Sequence, residues 1–346
     1  MQQLKLAQLF AKLHLKYKQP TLIQEMVWKA PLDDYVIQSP PGTGKTLAYL
    51  VQLQKFMNPE NDFRPNALIL APSTLLAEQI GHDMHLMDGD VQIIHGKLGY
   101  AQRKKRTNIN SQVVVSTPGY MIKYGNEFNL KPLDICVVDE MDVLLDQNDL
   151  DNALPIFQRL GPQTKKWFVG ATLTEPANKV INQHCENPLY LHAQPKLQQP
   201  QMIFIDARQS LHDGMMDSLR AILSIPKNTL IFVNKKGTIK RLVGQFSEFN
   251  PQVLYSPDEP HGIATIDALK VLRYKSDLNP ITLISCKLLE RGIDLVHLDR
   301  IILFDAPNDM HALIHRIGRL RFPQKKQVII CITDKNAQLL QDLQVI

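Results

Sequence analysis

Short apolar runs recur along this chain, separated by stretches whose apolar residues return at helical spacing. In the first half the strand-like runs are Val36–Gln38, Ala67–Ala71, Val91–Ile94, Val113–Ser116, Ile135–Val138 and Trp167–Gly170. Helical spacing covers Thr46–Phe56, Leu75–Met87 and Asn148–Leu160. Such alternation predicts an α/β fold with a mostly parallel sheet covered on both faces. The pattern lapses over 192–200, where two prolines and three glutamines read as a linker. A second alternating set follows: Met202–Asp206, Thr229–Val233, Gln252–Tyr255, Ile281–Ser285, Arg300–Phe304 and Val328–Thr333, with a helix-like end at Asn336–Leu343. The pattern therefore predicts a domain over 1–191 and another over 201–346, consistent with a length beyond what one core usually fills.

The polar and glycine residues that interrupt the pattern fall just after strands, where parallel sheets gather their ligands. The most informative is Ser39-Pro40-Pro41-Gly42-Thr43-Gly44-Lys45-Thr46. It follows the apolar Tyr35-Val36-Ile37 and opens a helical pattern, the context of a phosphate-binding loop. Gly42 and Gly44 let backbone N–H groups point inward, and the helix dipole adds to that field. Lys45 can reach the β- and γ-phosphates of a nucleotide, and the Thr46 hydroxyl can ligate Mg²⁺. Ser39 stands where the usual motif opens with glycine. An ordinary Gly/Pro turn is the plainer reading, and Gly-Lys-Thr at a helix start weighs against it. The second stretch is Val137-Val138-Asp139-Glu140-Met141-Asp142, an acidic group closing an apolar strand. Asp139 can hold the hydrated metal, and Glu140 can orient or deprotonate an attacking water.

Composition narrows this only slightly. Apolar residues make up 44% of the chain, as in folded soluble proteins, and the net charge of +5 permits a polyanionic partner without demanding one. The four cysteines lack metal-knuckle spacing, and Cys136 and Cys331 lie in apolar runs, so buried free thiols in a reducing compartment are expected. The amphipathic start, Leu4 to Lys16, does not resemble a signal peptide, and no run approaches a membrane span. A cytoplasmic protein with no membrane partner is the expectation.

Further motifs recur in a fixed order: Pro20-Thr21-Leu22-Ile23-Gln24, Pro72-Ser73-Thr74-Leu75-Leu76-Ala77, Thr117-Pro118-Gly119, Gly170-Ala171-Thr172, Leu230-Ile231-Phe232-Val233, Arg291-Gly292-Ile293-Asp294 and His315-Arg316-Ile317-Gly318-Arg319. With the phosphate loop and Asp-Glu-Met-Asp, the chain resembles the DEAD-box ATP-dependent RNA helicases of superfamily 2 over nearly its whole length. The resemblance implies two RecA-like domains, with ATP and Mg²⁺ as cofactors bound in the cleft between them. It implies that Gln24 reads the adenine edge while Tyr17 packs on the base. Pro41, Gly42, Thr43, Gly44, Lys45 and Thr46 would cradle the phosphates, and Gly292 and Asp294 would line the ribose side. Arg319 would be a finger neutralising charge on the γ-phosphate. RNA would cross the face away from ATP, meeting Pro72, Ser73, Thr74, Gly96, Thr117, Pro118, Gly119 and Lys287. Backbone groups and hydroxyls there hold phosphates and sugars without reading bases.

Departures cluster on the RNA side. Thr74-Leu75 replaces the family's Arg-Glu, His95-Gly96 stands at the Gly-Gly turn, and Cys286-Lys287 stands for Thr-Asp. Gly170 replaces a serine whose hydroxyl normally links its motif to the acidic one, which puts coupling between hydrolysis and strand separation in question. His315–Phe322 is one residue shorter than the family's sequence if Arg321 is the second finger. The basic run Arg103–Arg106 reads as readily as a solvated helix face as an RNA contact. The expected function is an RNA-dependent ATPase that opens short duplexes or remodels ribonucleoprotein, with structured ribosomal RNA a substrate by analogy, acting as a monomer. The rival readings are an ATP-gated RNA clamp with little unwinding, a DNA translocase, and a metabolic P-loop kinase that leaves the motifs after residue 200 unexplained.

Overall fold

The computed structural model describes residues 19–56, 65–96, 111–124, 129–146, 150–194, 200–208, 212–254, 280–286, 295, 297–305, 307, 310–320 and 326–333. The chain divides into two compact units, Met1–Pro195 and Lys196–Ile346. Each is a parallel sheet flanked by helices, as the pattern of apolar runs predicts.

The first unit begins with α1 (Leu22–Lys29), then β1 (Tyr35–Gln38), α2 (Lys45–Phe56), β2 (Ala67–Leu70), α3 (Thr74–Leu86), β3 (Val91–Ile94) and β4 (Val113–Ser116). It continues through α4 (Pro118–Tyr124), β5 (Ile135–Asp139), α5 (Met141–Leu144), α6 (Leu150–Phe157), β6 (Lys165–Gly170), α7 (Glu175–His184) and β7 (Leu189–His192). The sheet order is β3-β4-β2-β5-β6-β1-β7, and every paired strand runs parallel. Strands β2, β4 and β5 are buried along their whole length, which is why they read as unbroken apolar runs. Successive residues feed opposite layers: Val137 and Trp167 pack on one face of the sheet, Val138 and Phe168 on the other.

Strand β7 is an addition to the sequence pattern. Its register with β1 pairs His192 with Gln38, so the sheet takes the first residue of the 192–200 stretch. It is an edge strand with only Leu191 turned inward, so it lacks the apolar run that marks the others.

The N-terminal ends of β1 and β6 are stapled by polar contacts. Lys165 Nζ meets Asp33 Oδ1 at 2.8 Å, and the Lys166 N–H donates to Asp34 Oδ1 at 2.6 Å. That end of the strands is thereby committed to structure, leaving the C-terminal ends for chemistry.

The second unit contains β8 (Gln201–Asp206), α8 (His212–Leu223), β9 (Thr229–Phe232), α9 (Lys236–Gln245), β10 (Gln252–Leu254), β11 (Thr282–Ser285), β12 (Arg300–Leu303), α10 (Met310–Ile317) and β13 (Gln327–Ile332). Its sheet order is β10-β11-β9-β12-β13-β8, again parallel throughout. Ile231, Ile284, Ile302 and Ile329 line one face of this sheet as a single core layer. Arg300 is buried beneath it, where its Nη1 donates to the Ile222 carbonyl at 2.7 Å and caps the end of α8. The helix expected over Asn336–Leu343 and the basic run Arg103–Arg106 lie outside the described residues.

Candidate functional site

The loop between β1 and α2 has the backbone its glycines predict. Gly42 and Gly44 adopt φ of 76° and 87°, the left-handed region that a side chain disfavours. At Gly44 space is a second constraint, since an added Cβ would lie 2.3 Å from Gln24 Nε2. Gln24 is held there by its own element: it is the third residue of α1 and forms a capping box with Thr21. Gln24 Oε1 accepts from the Thr21 N–H at 3.0 Å, and Nε2 donates to the Gly44 carbonyl at 3.2 Å. The Thr21 hydroxyl adds a bond to the Thr43 carbonyl at 2.8 Å. The Gln24 motif and the phosphate loop are therefore one assembly.

Within the loop, Ser39 has a use. Its Oγ lies 2.6 Å from Thr43 Oγ1, which also donates to the Pro40 carbonyl at 2.8 Å. Lys45 folds back on the loop, donating from Nζ to the carbonyls of Ser39 at 2.7 Å and Pro40 at 3.1 Å. A phosphate entering the loop would replace those carbonyls as the partner of Lys45.

The acidic group ends β5, two strands from β1. Asp139 is buried and both its oxygens are engaged. Oδ1 accepts from the Glu140 N–H at 2.9 Å, and Oδ2 accepts from the Tyr49 hydroxyl at 2.9 Å. Burial, and then the neighbouring Glu140 carboxylate, push Asp139 up to about 7; the Tyr49 hydrogen bond and the charge of Lys45 pull the other way. Burial and the same carboxylates push the Tyr49 phenol well above its ordinary value, so it is a donor at neutral pH. The sequence reading omits Tyr49, although it lies one helical turn after Lys45 on α2 and so shares its face. A Thr hydroxyl at a helix start and a buried, cation-hungry carboxylate fit a hard divalent ion that prefers oxygen ligands.

Glu140 sits in the left-handed region, φ 54° and ψ 55°, at a cost of about 1–3 kcal/mol for a residue with a side chain. Its carbonyl accepts from the N–H groups of Val143 and Leu144, which begin α5. Gly170 does not disconnect the acidic group from the loop after β6. Thr172 supplies the link: its N–H and Oγ1 both reach Asp142 Oδ2, at 3.3 and 3.1 Å.

The residues expected to meet RNA follow three neighbouring strands, β2, β4 and β3. Ser73 caps α3, its Oγ accepting from the Leu76 N–H at 3.2 Å, with Pro72 before it and Thr74 opening the helix. Thr117 plays the corresponding part for α4, its carbonyl accepting from Tyr120 and Met121, and Pro118 occupies the first helical position. A Cβ added at Gly96 or Gly119 would meet nothing within 4 Å. His95 Nε2 lies 2.7 Å from Glu78 Oε1, tying the end of β3 to α3.

In the second unit, Arg316 is buried and serves the fold. It donates to the Asp305 carbonyl and to Asn234 Oδ1, each at 2.8 Å, with its guanidinium 5.1 Å from the Phe232 ring. Arg319 Nε donates to the His315 carbonyl at 3.0 Å at the end of α10. Tyr17, Lys287, Gly292, Asp294 and Arg321 lie outside the described residues.

The sequence model of the DEAD/DEAH box helicases matches residues 21–180, and that of the helicase conserved C-terminal domain matches 214–322. The ATP-dependent RNA helicase DbpA of Bacillus subtilis is 26% identical over 343 residues, covering 95% of this chain and 70% of that protein. The ATP-dependent RNA helicase DBP5 of Saccharomyces cerevisiae is 27% identical over 342 residues, covering 93% and 70%. The solved structure of S. cerevisiae Dbp5 bound to RNA and ADP BeF3 matches with a TM-score of 0.79 at 27% identity, covering 97% of this chain and 90% of that one. The chain belongs to the DEAD-box helicases of superfamily 2, a class of ATP-hydrolysing enzymes built on paired RecA-like folds. No helix among the described residues is long and apolar enough to cross a membrane.

Proposed function

We propose that this chain is an ATP-dependent RNA helicase whose nucleotide turnover is stimulated by RNA. One observation carries the reading: the Tyr49 hydroxyl binds Asp139, bringing the acidic group beside the helix that Lys45 and Thr46 begin. The loop Pro41–Thr46 receives the phosphates, Lys45 turning from its own loop carbonyls to the γ-phosphate. Thr46 and Asp139 would hold Mg²⁺, which supplies charge neutralisation on the phosphates when bound. Glu140 accepts a proton from the attacking water at its carboxylate. Gln24, held by the capping box, presents its remaining amide hydrogen and lone pair to the base. Arg319 is the candidate for charge developing on the γ-phosphate, with Arg321 as its second. Gly292, Asp294 and Tyr17 are assigned to ribose and base on the family pattern alone.

RNA binds through Pro72–Thr74, Gly96, Thr117–Gly119 and Lys287, largely by its backbone, so affinity falls steeply with salt. Structured ribosomal RNA is the first substrate to try, and the protein is expected to act as a cytoplasmic monomer. Replacement of the family's RNA-side Arg-Glu and Thr-Asp favours one rival, an ATP-gated clamp with little unwinding. The Thr172–Asp142 link supports the motor reading instead.

The test is steady-state ATP turnover with and without structured RNA at two salt concentrations, with Lys45→Ala as the blank. RNA stimulation that fades with salt, accompanied by separation of a short duplex, is the expected result. Stimulation without strand separation selects the clamp. Turnover no greater than in Lys45→Ala under every condition overturns the enzyme reading.

A further inference from the structure

Two departures from the family meet in space. Gly170 closes β6 where the family has serine, and Met141 opens α5 where the family's name spells alanine. A Cβ built on Gly170 would lie 2.7 Å from Met141 Cγ, 3.3 Å from Met141 Cε and 3.2 Å from Asp142 Oδ1. The first distance is shorter than real Cβ contacts allow. The backbone at 170 lies outside the left-handed region, so this glycine is required for space and not for torsion. Met141 is fully buried, and the atom that occupies the notch is the middle of its side chain, which cannot swing aside as a chain end could.

We propose that Met141 and Gly170 are a single exchanged unit, and that Met141, seated in the notch left by Gly170, positions Glu140 for hydrolysis. Met141 directly follows Glu140, whose left-handed conformation persists only while its neighbours hold it. Behind it, the Met141 carbonyl accepts from Leu145, and Asp142 is held by Thr172. The anchor in front is Met141 itself. Filling the notch from β6 pushes on Met141, and shortening Met141 empties it; both shift the residue that faces the attacking water. Small displacements of such a group are costly to rate even when substrate binding is intact.

This rests on the reading of Glu140 as the water-activating residue, and the experiment separates the two. Met141→Ala, Gly170→Ala, Gly170→Ser and the double variant Met141→Ala/Gly170→Ser are compared with the wild type. Turnover at saturating ATP and RNA, affinity for an ATP analogue, and melting temperature are all measured. Each single variant is expected to lose about tenfold or more in kcat while analogue affinity stays within about threefold. The double variant, which restores the family's small residue and serine, recovers most of the loss. Losses that simply multiply in the double variant, or a Met141→Ala enzyme with full turnover, overturn the proposal. Coupling seen in melting temperature but absent from kcat overturns the positioning role and leaves only packing. Should Gly170→Ser fail to fold, Gly170→Ala and Met141→Ala alone decide, both being required to lower kcat. A wild type with no turnover sinks the assignment of Glu140, and coupling in melting temperature then still reads whether the two side chains share one space.

Discussion

Asp139 carries a cost that its proposed role as a metal ligand would explain. Its folded value of about 7 stands above the ordinary 3.8, chiefly because it is buried and secondly because Glu140 is beside it. A carboxyl that holds its proton more tightly when folded favours the folded state at low pH. That contribution is complete below about 3.8 and is lost as pH rises through about 7. Above 7 the nucleotide-free protein keeps a buried carboxylate, a charge that the proposed metal would offset. Asp139→Asn keeps an oxygen for the Glu140 N–H and a group for the Tyr49 hydroxyl while removing the charge. The variant is expected to melt higher than wild type at pH 8, by roughly 2–4 °C for each kcal/mol relieved, with the gap closing toward pH 5. ATP turnover is expected to be lost at both. Thermal melting of both proteins without nucleotide across that range checks it; a gap that does not depend on pH would show that charge burial is not the cause.

Strand order sorts the loops at the C-terminal edge of the first sheet into two groups. The ends of β1, β6 and β5 carry the phosphate loop, Gly170–Thr172 and Asp139–Glu140. The ends of β2, β4 and β3 carry Ser73–Thr74, Thr117–Gly119 and Gly96. Gly119 distinguishes a nucleic-acid surface from a plain helix start. Being exposed, early in α4 and facing open space, it has no folding reason to be glycine, and alanine there should match or exceed wild-type stability. If a sugar-phosphate backbone approaches it closely, Gly119→Ala weakens RNA binding by about threefold to tenfold. Fluorescence anisotropy at fixed salt, beside a melting curve, reads both; unchanged RNA affinity would remove Gly119 from the interface.

The same sheet shows what is legible in the chain. Strands buried on both faces, such as Val113–Ser116, announce themselves as apolar runs, while the edge strand Leu189–His192 has one inward residue and does not. The phosphate loop and Asp139–Glu140 are contiguous, so residue spacing alone marks them. Tyr49 to Asp139, Thr172 to Asp142 and Met141 to Gly170 are contacts across sequence separations that no local pattern encodes. The link between the two motifs is of this kind, because without the serine hydroxyl at 170 it is made by Thr172.

At the scale of the whole molecule, the cysteines offer a way to follow each unit separately. Cys136 lies in β5 of the first unit and Cys331 in β13 of the second; neither is in a disulfide, and burial pushes each thiol up to about 12. Neither is reactive while its sheet is intact, since reaction needs an exposed thiolate. Under mild denaturant, the rate at which each is alkylated therefore reports the opening of its own unit. A ligand that binds only the closed form slows opening-limited labelling by about the factor 1 + [L]/Kd. The phosphate loop, Asp139 and Glu140 all belong to the first unit, so an ATP analogue with Mg²⁺ must protect Cys136. Cys331 is protected only if the nucleotide also engages the second unit, as the role proposed for Arg319 requires. In Arg319→Ala, Cys136 protection should persist while Cys331 protection falls toward that of the nucleotide-free protein. Mass-spectrometric counting of alkylated peptides gives both rates from one sample. Protection of Cys331 that survives in Arg319→Ala would show that another residue of the second unit makes the contact. Protection of Cys136 alone in the wild type would confine nucleotide binding to the first unit and leave Arg319 without its assigned part.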